Sequence, residues 1–141
     1  MLSIYFTVEG NPVAKGRPRF ARRGNFVSTY TPKKTLSYEQ RIAKEAKFTM
    51  DTNEPLRTPV AVIIEIVLEV PKSYSKKRTF DCLTNEESPL KKPDIDNCAK
   101  IFLDAMNGIV YIDDCQIISL HITKKYGAIA LVNVFVKEVL P

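Results

Sequence analysis

Hydrophobic positions recur along the chain with two periods. Leu2, Ile4, Phe6 and Val8 alternate with Ser3, Tyr5, Thr7 and Glu9, which predicts a half-buried strand ended by Gly10-Asn11-Pro12. Thr31-Pro32 reads as a helix start, with threonine as N-cap and proline at the first helical position. Leu36, Ala43, Ala46 and Met50, helped by Tyr38 and Ile42, give that helix a modest apolar face, closed by Asn53-Glu54-Pro55. From Val60 to Val70 nearly every position is apolar, with Glu65 and Glu69 late on one face. This predicts a central strand buried on both faces in its first half and on one in its second. Cys98, Ile101, Phe102, Ala105 and Met106 fall at i, i+3, i+4, i+7 and i+8, a single helical stripe stopped by Asn107-Gly108. Ile118, Leu120 and Ile122, a turn at Tyr126-Gly127, and Ile129 to Val136 predict a C-terminal hairpin.

The expected order is β-α-β-α-short β-β-β. The fold class is therefore α/β of the mixed α+β kind, a mixed sheet with two main helices packed on it. The chain has 141 residues, 45% hydrophobic and 26% charged, so one domain over 1–141 with its own core is expected. Neither a signal peptide nor a membrane-crossing apolar run is legible, which fits a cytoplasmic protein with no membrane partner. Cys82, Cys98 and Cys115 have no C-x-x-C spacing and read as reduced thiols. His121 is the one histidine, so zinc and histidine chemistry have little support.

Charge changes the picture. Residues 1–50 carry ten Lys and Arg against three Asp and Glu; residues 51–141 carry eleven against thirteen. The basic excess concentrates in Lys15-Gly16-Arg17-Pro18-Arg19-Phe20-Ala21-Arg22-Arg23-Gly24, whose glycines and proline predict a loop. Lys15, Arg17, Arg19, Arg22 and Arg23 are candidate phosphate contacts, with Phe20 or Phe26 available to stack. The long connection from Pro71 to Pro93 adds Lys72, Lys76, Lys77 and Arg78, and Ser73 is placed to cap a short helix there. It reads equally as a nucleic-acid grip and as a solvated insertion.

The acidic residues concentrate elsewhere. Five aspartates lie between Lys91 and Asp114: Asp94 and Asp96 at the helix start, Asp104 within it, and Asp113 and Asp114 just after it. Asp96 is placed as N-cap. Asp94, Asp96, Asn97, Lys100 and Asp104 fall on the side opposite the stripe. Carboxylates this close repel unless a cation sits among them. A capping role for Asp96 leaves Asp94, Lys100 and the second pair unexplained. A calcium loop begun at Asp94 puts Ala99 where glycine is needed and Ala105 where a bidentate glutamate is needed. Oxygen-only ligands suit Mg²⁺, with Mn²⁺ as a substitute.

Pro93-Asp94-Ile95-Asp96-Asn97, Lys100, Asp104, Gly108 and Asp113-Asp114-x-Gln116-Ile117 resemble the central motif of the RusA family of Holliday junction resolvases. The basic run, Tyr30-Thr31-Pro32-Lys33 and Lys124-Lys125-Tyr126 also resemble that family, so the similarity spans nearly the whole chain. Cys98 stands where the family more often has an aliphatic residue. The resemblance implies a bacterial or phage-derived, Mg²⁺-dependent homodimer that cuts four-way DNA junctions. It implies catalytic roles for Asp94, Asp96, Lys100 and Asp114, and metal binding by Asp94, Asp96, Asp113 and Asp114. A nuclease of broader branched-DNA taste and a non-catalytic DNA-binding module are the alternatives.

Overall fold

The computed structural model describes residues 1–15, 19–30 and 33–141. The strands are β1 (Ser3–Glu9), β2 (Arg19–Arg23), β3 (Phe26–Tyr30), β4 (Val60–Glu69), β5 (Ile117–Gly127) and β6 (Leu131–Glu138). The helices are α1 (Lys33–Met50), α2 (Lys76–Leu83) and α3 (Ile95–Met106), followed by a 3₁₀ turn at Asp114–Gln116. The architecture is the expected mixed sheet with helices, three of them rather than two main ones. None of the described helices is long and apolar enough to cross a membrane.

The main sheet runs β1-β6-β4-β5. β6 lies antiparallel to both β1 and β4, while β4 and β5 are parallel. The C-terminal hairpin expected from the alternating pattern is therefore not formed. β5 and β6 flank β4 on opposite sides, because β5 finds a longer apolar partner in β4 than in its sequence neighbour. A parallel pair needs a crossover connection. Here the crossover holds α2, α3 and the 3₁₀ turn, so the whole acidic stretch sits in the β4–β5 connection. The short strand expected before β5 is reduced to bridges of Tyr111 with Leu56 and Asn107.

β4 is internal, as expected, but its burial runs the other way along the strand. Ile63 is 40% exposed in the first half, whereas Val67 and Leu68 are both buried in the second. On α1 the buried face is Thr35, Tyr38, Ile42, Ala46 and Met50. Leu36 faces out and Ala43 is half-buried, so the apolar stripe is rotated from the one read in the sequence. Thr31 and Pro32, expected to open that helix, lie outside the described residues.

The α3 stripe is buried as read. Tyr38 and Phe102 meet edge to face at 5.9 Å, locking α3 against α1 above the sheet. The long connection caps α2 with Ser75 rather than Ser73, its hydroxyl accepting the Arg78 N–H at 3.1 Å. The basic run departs further from expectation. Arg19–Arg23 is a strand paired with Phe26–Tyr30 in a hairpin whose turn holds Gly24 at φ +59°. Arginines are weak strand signals, and the turn glycine supplied the cue that was read as loop.

Candidate active site on the crossover helix

Asp94, not Asp96, is the N-cap of α3, and its carboxylate makes no capping bond. It instead accepts from Lys92 Nζ at 2.9 Å. The helix dipole favours both carboxylates at this end. Asp96 lies exposed in the first turn, and Lys100, one turn further, is exposed without an ion pair among the described residues. The backbone in front of Asp94 is fixed from across the sheet. Lys124 Nζ on β5 donates to the carbonyls of Lys91 at 2.8 Å and Pro93 at 3.2 Å. Cys98 reports the same neighbourhood: burial first, then Asp94 and Asp96, push its thiol up to about 11, against the pull of Lys124.

The second acidic pair is built on the 3₁₀ turn. Asp113 caps it, and Gln116 closes the box by accepting the Asp113 N–H at 2.9 Å. Gln116 also donates to the carbonyls of Leu56 at 2.8 Å and Thr58 at 2.9 Å, anchoring the turn to the segment before β4. Asp113 and Asp114 share a hydrogen bond that holds the Asp113 carboxyl below its ordinary range and lifts that of Asp114. Asp104 adds to the lift on Asp114, so the C-terminal end of α3 is acidic as well. The buried Tyr111 hydroxyl donates to the Leu103 carbonyl at 2.6 Å and ties this end to the helix.

The aspartates thus form two groups, Asp94 and Asp96 at the start of α3, and Asp104 at its far end with Asp113 and Asp114 on the turn beside it. Asp94 and Asp104 are ten residues apart, about 15 Å at the helical rise. Among the described residues no three His, Cys, Asp or Glu side chains converge as a metal-holding group. The single cluster expected from sequence proximity is therefore not formed within one chain. The donor chemistry still suits a hard divalent cation. Mg²⁺ is commonly held by one or two carboxylates, with waters and phosphate oxygens completing its shell. The paired, exposed carboxylates meet that requirement.

The basic candidates separate. Lys15 is spent on structure: its Nζ reaches Glu39 at 3.1 Å and Asp104 at 3.4 Å, and its N–H donates to the Asn97 carbonyl at 3.1 Å. Burial alone would lower its pKa, but Glu39 and Asp104 outweigh this and raise it. The lysine thereby fastens the start of the basic run to α3, beside the aspartates. Arg17 lies outside the described residues, Arg19 and Arg23 lie on β2, and Arg22 is exposed and donates to the Gly24 carbonyl at 3.2 Å. Lys76 and Lys77 are exposed at the start of α2. Arg78 lies 3.6 Å over the Tyr74 ring and pairs with Glu87 at 3.0 Å.

Gln116 and Lys124 were not assigned site roles from sequence. Both act on backbone carbonyls, which leave no mark on a residue pattern. Replacing Gln116 with leucine should cost about 1–3 kcal/mol, since it removes its bonds to the part-buried Leu56 and Thr58 carbonyls and to the Asp113 N–H. Melting of the variant checks this.

A family model described as Endodeoxyribonuclease RusA matches residues 9–137. The chain is also 36% identical, over 139 residues and 96% of both chains, to the uncharacterized protein YqaN of Bacillus subtilis (strain 168).

Proposed function

This chain belongs to the RusA endodeoxyribonuclease family, and we propose that it is a Mg²⁺-dependent nuclease that resolves four-way DNA junctions by paired nicks. One observation carries the reading. The basic run is fastened through Lys15 to the helix that bears Asp94, Asp96, Lys100 and Asp104. A polyanion held by that run lies against the acidic face.

Asp94 and Asp96 at the start of α3, and Asp113 and Asp114 on the 3₁₀ turn beyond its far end, are the two carboxylate pairs that would hold Mg²⁺, with waters and phosphate oxygens completing the shell. A divalent ion held there would supply Lewis-acid polarisation of the scissile phosphate and activation of the attacking water. Lys92 and Lys124 set the position of Asp94, directly and through the preceding backbone. Gln116 sets the Asp113–Asp114 turn. Lys100, exposed and without an ion pair among the described residues, neutralises charge developing on the phosphate or the leaving oxygen. Two symmetric nicks are most simply made by two sites related by a two-fold axis, so the working form is a homodimer.

The reaction is tested by comparing cleavage rates on a four-way junction, a flap and a linear duplex. Marked preference for the four-way substrate supports resolution, and equal rates on flap and junction support the broader branched-DNA reading. Affinity should depend steeply on salt through counterion release. Replacing Arg17 and Arg19 with alanine should flatten the log–log salt slope by about two, as measured by gel shift in EDTA. An unchanged slope would move the binding surface to Lys72, Lys76 and Lys77.

A further inference from the structure

Leu90 is 96% exposed, more than any other large hydrophobic residue among those described. A lone surface leucine needs no explanation in itself. This one differs in how it is held and in what surrounds it. Pro89, immediately before it, is buried. Immediately after it, the Lys91 carbonyl is fixed by Lys124 Nζ at 2.8 Å, and the Lys91 ammonium lies 5.5 Å over the Tyr126 ring. The backbone is thus pinned on both sides of a side chain left almost fully exposed among the described residues. Leu90 also borders an open basin of about 720 Å³ whose lining includes Lys91, Lys92, Lys124 and Asp94. Lys91 and Lys92 are exposed and suit a phosphate backbone, Lys124 being taken up by the backbone carbonyls, and the one aspartate belongs to the proposed catalytic set.

We infer that Leu90 is an apolar wedge that enters the base stack at the branch point while the neighbouring lysines hold the phosphates. The inference rests on the junction-cleaving reading and adds the device that selects the branched substrate. Proteins that kink DNA insert leucine, phenylalanine or proline between base steps and unstack them. In linear duplex that insertion disrupts intact stacking. At a four-way branch point stacking is already interrupted, so the same insertion costs less. A fixed leucine four residues before Asp94 therefore favours branched over linear DNA and sets the distance from branch point to cut. A flexible side chain on a mobile loop would lose that register; the Pro89 and Lys124 anchors preserve it.

The test uses the full chain and a four-way junction carrying 2-aminopurine at the branch point, titrated in EDTA with binding followed in parallel by gel shift. Wild-type protein should raise the fluorescence on binding, and Leu90→Met, which keeps an apolar wedge, should do the same. Leu90→Ala should lose most of the rise with linear-duplex affinity and melting temperature unchanged. Its junction-over-duplex cleavage preference in Mg²⁺ should drop about tenfold. A Leu90→Ala variant that binds the junction with the wild-type fluorescence rise overturns the wedge and leaves the nuclease reading standing. So does a Leu90→Ala variant whose oligomeric state changes in light scattering, which makes the residue a protein contact. Wild-type protein that fails to bind the junction at all overturns both.

Discussion

Asp94→Asn should abolish Mg²⁺-dependent junction cleavage, lowering the rate on the order of a thousandfold or more. The substitution keeps the shape and the helix start, because the Asp94 carboxylate makes no capping bond to lose and asparagine is well accepted at an N-cap. It removes one negative charge from the face proposed to meet phosphate. Junction affinity in EDTA should therefore be equal or tighter. The lost pair with Lys92 is exposed, and such pairs contribute little to stability, so the fold should melt near its wild-type temperature. Cleavage in Mg²⁺ and gel shift in EDTA, measured on the same preparation, separate the possibilities. Near wild-type cutting would remove Asp94 from the metal set. Joint loss of binding and cutting would make it a structural support for α3. Lys100→Ala should also lose cleavage while metal affinity changes much less.

The second large effect is on the fold beneath the site. Phe102→Ala should destabilise the chain by about 3–5 kcal/mol, the usual range for a fully buried aromatic truncated to alanine. At this chain length that lowers the melting temperature by about 10 °C or more. Phe102 fills the seam between α3 and α1 against Tyr38, so the loss also frees the helix that carries Asp96, Lys100 and Asp104. Phe48→Ala is the control, since Phe48 is 83% exposed on α1 and should leave the melting temperature unchanged. Equal effects of the two substitutions would contradict the assigned packing.

The parts of this structure legible in the sequence were those governed by local period. All five stripe positions of α3 are buried, with Ala99 beside them, because a short helix with one apolar side must bury it. β1 and β4 followed from alternation and from a continuous apolar run. The misread parts depend on remote partners. Nothing in the pattern of β5 and β6 distinguishes a hairpin from two strands flanking a third. The β2–β3 hairpin was hidden by its arginines. Nearness in sequence predicts one cluster of aspartates, but α3 stands between its Asp94–Asp96 end and the Asp113–Asp114 turn, which lies near Asp104. Charge alone groups Lys15 with the phosphate contacts, and only tertiary structure sets Glu39 and Asp104 beside it.

A supercoiled plasmid carrying an extruded cruciform tests the central claim most directly. Incubated with the wild-type chain and Mg²⁺, it should convert to linear product through paired cuts across the cruciform base, and it should stay intact in EDTA. Accumulation of nicked circles without linear product, or linear product that forms equally in EDTA, would contradict the account.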